Sequence, residues 1–186
     1  TVDDHQAINR NGGTHVAWNW KANGQGSSNT DGSINTTYTS ANTTAGFSIV
    51  SYVGTGVANA TIGHGLGVTP AMIIVKNRSI TENWRVWHQK LGGADYKLAL
   101  DSTGVADQSA TVFNGQSATT FTVGTDPSVN GSGNNIVAYC FAEKTGYSKF
   151  GSYTGNGNAD GTFVYCGFKP AFVIIKKTRS CNFWYD

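Results

Sequence analysis

Hydrophobic positions along this chain either alternate with polar ones or run unbroken for four residues, and both are strand patterns. In Val16-Ala17-Trp18-Asn19-Trp20 the large side chains fall on every second residue, so Val16, Trp18 and Trp20 share a face. Val137, Tyr139 and Phe141 keep the same phase in Val137-Ala138-Tyr139-Cys140-Phe141. Phe47-Ser48-Ile49-Val50-Ser51-Tyr52 predicts another strand. Met72 to Val75 is continuously apolar between Pro70 and Lys76, as is Phe172 to Ile175 between Pro170 and Lys176. Such a run predicts a strand buried on both faces. Further strands are predicted over residues 84–88, 97–100, 110–113, 119–123 and 162–166, separated by Gly-Thr-Gly, Gly-Asn-Gly, Gly-Leu-Gly and Asn-Gly turns. No stretch sustains a helical period. The pattern predicts an all-β fold, an antiparallel β-sandwich of jelly-roll type.

The pattern is also written twice, and internal repetition bears on architecture before any single residue does. Pro70-Ala71-Met72-Ile73-Ile74-Val75-Lys76 returns 100 residues later as Pro170-Ala171-Phe172-Val173-Ile174-Ile175-Lys176, and Trp84 returns as Trp184. Ser51-Tyr52-Val53-Gly54-Thr55-Gly56 returns as Ser152-Tyr153-Thr154-Gly155-Asn156-Gly157. Nearer the start the offset is 121: Thr1-Val2 matches Thr122-Val123, Ile8-Asn9 matches Val129-Asn130, and Val16–Trp20 matches Val137–Phe141. The change of offset requires roughly twenty extra residues in the first copy, which fit the polar stretch from Lys21 to Ala45 as a long surface loop. Residues 1–121 are therefore expected to form a first β repeat and residues 122–186 a second, truncated one. The chain stops inside an expected strand, so a piece of a longer polypeptide is expected, or else a sheet completed by another chain. Two sandwiches and one intertwined sandwich both fit the repeat.

Composition narrows the function classes. Only 13% of residues are charged, so solubility falls to Asn, Ser, Thr and Gly. Net charge is +2 and the basic residues are scattered, without the sustained stripe that nucleic-acid binding needs. No apolar run approaches the length of a membrane span, and no signal peptide is visible. Cys140, Cys166 and Cys181 align with Asn19, Leu66 and Thr81, so the fold cannot depend on a disulfide, and free, mostly buried thiols are expected.

Candidate chemistry is sparse. Glu82 and Asp101 are the best carboxylate pair for glycoside hydrolysis, but Glu82 aligns with the uncharged Asn182, and most acids sit in turn sequences such as Asn158-Ala159-Asp160-Gly161. His5, His15, His64 and His88 have no histidine counterparts in the second copy, and no metal-ligand spacing occurs. His64, before Gly65-Leu66-Gly67, reads as a turn residue. The pairs Gly54/Gly56 and Gly155/Gly157 read as turns that need positive φ, not as a dinucleotide fingerprint. The sequons at Asn35, Asn42, Asn59 and Asn77 are expected by chance in so Asn/Thr-rich a chain. No catalytic residue, metal or cofactor is assigned. Aromatic residues remain: Trp87, Trp20 and Tyr38, with His88, could stack on sugar rings beside the loop from Asn23 to Thr44. Trp18, Trp84 and Trp184 lie at repeated strand positions and are expected in the core; Trp87, on the face opposite Trp84, is the aromatic expected to be exposed.

Three strings carry a family likeness: Thr14-His15-Val16-Ala17-Trp18-Asn19-Trp20-Lys21, Ala45-Gly46-Phe47-Ser48-Ile49-Val50-Ser51-Tyr52, and His64-Gly65-Leu66-Gly67-Val68-Thr69-Pro70 with Met72–Lys76. Together with Tyr147–Gly157 and Gly167–Lys176 in the second copy, the chain resembles a poorly characterised repeat domain of marine bacteriophage virion proteins. The resemblance implies a tail-fibre-like or other surface component with a structural or adhesive role, and it supplies no catalytic residues. The expectation is a non-enzymatic virion protein assembled in the bacterial host cytoplasm. Its expected partners are copies of itself (a trimer by analogy), other virion proteins and host surface glycan, without nucleic acid or membrane insertion. A lectin-like module, a capsid decoration or head-fibre protein, and a glycan depolymerase are the rival expectations.

Overall fold

The computed structural model describes residues 6–179; Thr1-Val2, His5, Cys181, Asn182 and Trp184, named above, lie outside the described residues. Its elements are α1 (Gln6–Asn9), β1 (Tyr38–Asn42), β2 (Phe47–Val53), β3 (Ala60–Gly63), β4 (Met72–Asn77), β5 (Arg85–His88), β6 (Tyr96–Ala99), β7 (Asp107–Gln108), β8 (Phe113–Gln116), β9 (Thr120–Val123), α2 (Pro127–Asn130) and β10 (Asn135–Phe141). The fold is an all-β sandwich of antiparallel sheets. One has seven strands in the order β1-β2-β10-β4-β5-β6-β7, and the other has three in the order β3-β9-β8.

Period-two side chains produce this packing. On the large sheet Val50, Tyr52, Ile73, Val75, Trp87, Ile136, Ala138 and Cys140 point inward. They meet Ala60, Ile62, Phe113, Phe121 and Val123 of the small sheet. Full burial of each large member, such as Phe113 or Phe121, contributes about 1.5–3 kcal/mol. β4 carries apolar residues on both faces, as its unbroken run requires. Ile73 and Val75 join the main core, while Met72 and Ile74 pack on a second cluster of Val86, Leu91 and Leu98.

An interior strand of the large sheet comes from the second repeat. β10 lies between β2 and β4 and pairs with both, with Tyr139 opposite Ile49 on one side and Ile74 on the other. The sandwich therefore runs from Tyr38 to Phe141, across the boundary expected at 121/122. Local structure keeps the repeat even so. α1 and α2 are single helical turns 121 residues apart. Gly46 and Gly146 have φ 68° and 74°, Gly56 and Gly157 both 71°, and Gly67 and Gly167 72° and 80°.

Several sequence expectations are corrected here. Val16–Trp20, residues 162–166 and the segment after Pro170 are not strands, and their large apolar side chains are mostly exposed. Each has a strand-forming sequence, but among the described residues no ladder of backbone hydrogen bonds joins it to a neighbour, and a lone strand is not stable. Residues 21–45 are not loop throughout, because β1 lies within them. Its polar sequence suits an edge strand held mainly by its backbone ladder to β2. Trp18 is 62% exposed and Trp87 only 6%, the reverse of the expected roles. Trp87 sits opposite Ile73, on the core face of β4–β5, and Trp84 takes the outer phase.

Candidate functional site

The outer face of the seven-stranded sheet is where the chain's aromatic chemistry gathers. Opposite the core phase of each strand lie Phe47 and Ile49 of β2, Tyr139 and Phe141 of β10, and His88 of β5. Phe47 and Phe141 are cross-strand partners with ring centroids 4.9 Å apart. Trp20, reaching in from the N-terminal side, packs edge-on to Phe141 at 6.0 Å and tilted to Phe47 at 6.3 Å. Phe150, from the second repeat, lies 6.0 Å from Phe141 and 6.2 Å from His88. Phe172 reaches Trp20 at 5.7 Å and Trp18 at 5.2 Å. Such tilted and edge contacts complement the ring quadrupoles.

Polar bonds hold the covering segments in place. Glu143 accepts from the Phe150 amide at 2.8 Å and pairs with Lys149 at 3.3 Å. Gln89 donates to the Phe150 carbonyl at 2.9 Å. On the other flank, Ser40 accepts from the Asn23 amide at 2.9 Å and donates to the Gly24 carbonyl at 2.7 Å. His88 is held below the usual histidine pKa, chiefly by burial and secondarily by Lys90, with Glu143 opposing. Its Nδ1 accepts from the Lys90 amide, so the neutral ring carries its proton on Nε2.

The four residues expected to bind sugar do not converge. Trp20 and His88 share the outer face around Phe141 and Phe150. Tyr38 opens the edge strand β1 and is exposed. Trp87 is on the other side of the sheet, where its indole N–H donates to the Gly93 carbonyl at 3.0 Å. It borders a shallow depression with Thr69, Gln89, Lys90 and Gln116. Trp18, which the repeat pattern assigned to the core, is instead among the solvent-facing rings.

The carboxylates expected to be chemical candidates have structural partners. Asp101 accepts from the Trp84 amide at 3.1 Å, and Glu82 lies 3.9 Å from Arg85. Asp126 caps α2 through the Ser128 amide, with Pro127 opening the helix. Among the described residues no group of three His, Cys, Asp or Glu is placed to hold a metal ion. No helix among them is long and apolar enough to cross a membrane. Cys140 and Cys166 are free thiols, and burial pushes Cys140 up to about 12, against the Ser48 hydroxyl.

Sequence reasoning missed the buried polar residues that tie the loops down. Asn130 is fully buried. Its Nδ2 donates to the Val57 and Gly124 carbonyls, both at 2.8 Å, and its Oδ1 accepts from the Thr55 amide at 2.8 Å. The available signal was its recurrence as Asn9. His64 is a turn residue as read, but a buried one. Its Nδ1 accepts from the Leu66 amide and its Nε2 contacts the Ser117 carbonyl, both at 3.2 Å.

Comparison with curated proteins and with solved structures gives no match. A family model described as a domain of unknown function, DUF7483, matches residues 1–186. The chain therefore belongs to the DUF7483 family.

Proposed function

We propose that this chain is a non-enzymatic structural segment of a bacteriophage virion, in a tail fibre or similar appendage that contributes to host adhesion. The observation that carries the structural part is the origin of β10: the first repeat's sheet takes an interior strand, between β2 and β4, from the second repeat. A repeat joined to its neighbour in this way cannot swing as a bead on a linker, which suits building material. The engagement of Glu82, Asp101, Asp126 and Glu143 in caps and ion pairs agrees with a passive role. The virion assignment rests on the resemblance of the strings around Trp18, Phe47 and Pro70. In an appendage, self-association would make weak contacts multivalent; a homotrimer follows from fibre analogy alone. Antibody labelling of purified phage particles is the test. Decoration of a tail appendage is expected, decoration of the head would assign a capsid decoration or head-fibre protein, and its absence from particles would overturn the proposal.

A second reading, a lectin-like receptor-binding module, draws on the exposed Trp18 and Tyr38 and on Trp20 beside the Asn23–Gly24 loop. A glycan array read with the wild type and with Trp18→Ala separates the two. Specific binding lost in the variant favours the lectin, and no specific binding favours the scaffold.

A further inference from the structure

We infer that Val16–Trp20 is the closing strand of the second repeat and pairs antiparallel with Phe172–Lys176 of the same chain. The first repeat supplies the template. There β10 pairs with β4, with Phe141 opposite Met72, Cys140 opposite Ile73, Tyr139 opposite Ile74 and Val137 opposite Lys76. The repeat maps β10 onto Val16–Trp20 and β4 onto Phe172–Lys176. The same register places Trp20 opposite Phe172, Asn19 opposite Val173, Trp18 opposite Ile174 and Val16 opposite Lys176.

Three observations bring these segments together. Trp20 and Phe172, the first pair of that register, have ring centroids 5.7 Å apart, and Trp18 lies 5.2 Å from Phe172. The Phe172 segment is tethered beside the sandwich: the Thr178 carbonyl accepts from the Ala106 amide at 2.9 Å, and Lys176 Nζ donates to the Ser102 carbonyl. The turns leading to it, at Gly146, Gly157 and Gly167, hold the same positive φ as their first-repeat counterparts. Local conformation is thus set for the fold, while among the described residues no backbone hydrogen bond joins the two segments. Each leaves apolar side chains open to solvent: Val16 is 75% exposed, Ile174 53% and Ile175 68%. Pairing puts Val16, Trp18 and Trp20 on one face with Phe172 and Ile174, and satisfies two rows of backbone groups. The occupant is assigned to the same chain because Trp18 and Trp20 already touch Phe172 there, so pairing needs no encounter between copies.

The test is a cross-strand disulfide. Asn19→Cys/Val173→Cys is made with Cys166→Ser and Cys181→Ser, leaving the buried Cys140. Oxidised at micromolar concentration, it should give an intramolecular disulfide, seen as a faster-migrating monomer on a non-reducing gel. The yield should be several-fold above that of the off-register pair Asn19→Cys/Ile175→Cys, because directly opposed strand positions suit the bond and diagonal ones do not. Disulfide-linked dimers would overturn the inference by placing the pairing between copies, and a yield equal to the off-register pair would overturn it outright. Hydrogen exchange on the unaltered chain is independent of how the variants fold. Amides over 172–176 should exchange at least tenfold more slowly than those of the exposed segment 163–165; equal rates contradict the pairing.

Discussion

Replacing Asn130 with alanine should be among the most destabilising single changes in the chain, although the residue is polar and ends a four-residue helix. Its side chain joins three loops: the turn after β2 through Thr55, the approach to β3 through Val57, and the end of β9 through Gly124. Alanine leaves three backbone groups without that partner. The bond to Gly124 is fully buried, so its carbonyl forfeits about 1–3 kcal/mol. The bonds to Thr55 and Val57 are partly buried, and water can replace some of each, leaving about 1 kcal/mol apiece. The expected loss is about 3–5 kcal/mol, a large part of the roughly 5–15 kcal/mol that holds a domain together. Urea unfolding followed by far-UV circular dichroism of the sheets measures it. Asn9→Ala is the control: Asn9 holds the same place in α1 but is exposed, so a change within about 0.5 kcal/mol is expected. A loss below 1 kcal/mol for Asn130→Ala, or equal losses at both sites, would refute the reasoning.

Other consequences follow from the same geometry. His64 is held below the usual histidine pKa chiefly by burial, against the Ser117 backbone and Asp31. As pH falls the unfolded chain therefore takes up its proton first, and stability should be full above about pH 6.5 and decline below it. His88 acts in the same direction. Urea midpoints measured from pH 8 to 5 should fall with a shallower slope in His64→Gln, and an unchanged slope would remove His64 from the account. Native alkylation followed by peptide mapping should label Cys166 and spare Cys140, whose thiol is buried and pushed up to about 12; rapid labelling of Cys140 would contradict its burial. Trp87→Ala should cost about 3–5 kcal/mol of stability in the same urea assay, as for any large core side chain. A loss under 1 kcal/mol would return Trp87 to the surface role its sequence suggested.

How far the sequence could be read follows from what each signal encodes. Alternation in Phe47–Tyr52 and Val137–Phe141 located β2 and β10, and the unbroken run after Pro70 located β4 with apolar residues on both faces. Those signals are local, and the packing agrees with them. Pairing is not local. Nothing within Val137–Phe141 says that it fits between β2 and β4, or that Val16–Trp20, with the same phase, has no place in that sheet. The Trp18 and Trp87 expectations failed for that reason, since a strand pattern gives two faces without saying which meets the core. β1 was hidden because edge strands tolerate polar sequence. The recurrence of Asn130 as Asn9 marked the position but not its role, and His64 gave no such mark, because their worth lies in carbonyls and amides more distant along the chain. Of the aromatic site, Trp20 and His88 were legible as individual residues, while the rings that gather around them, Phe141, Phe150 and Phe172, were not.

The most direct measurement compares two shortened chains by urea unfolding. Residues 20–151 hold every strand of the sandwich; residues 1–134 lack β10 but keep Val16–Trp20, its sequence counterpart. The expected result is one cooperative transition for 20–151 and none for 1–134. In the β10 slot, His15 and Asn19 would replace the fully buried Ile136 and Cys140 and bring polar groups into an apolar core. A cooperative transition of equal midpoint in 1–134 would show that the first repeat closes with its own strand, contradicting the claim that the second repeat supplies it.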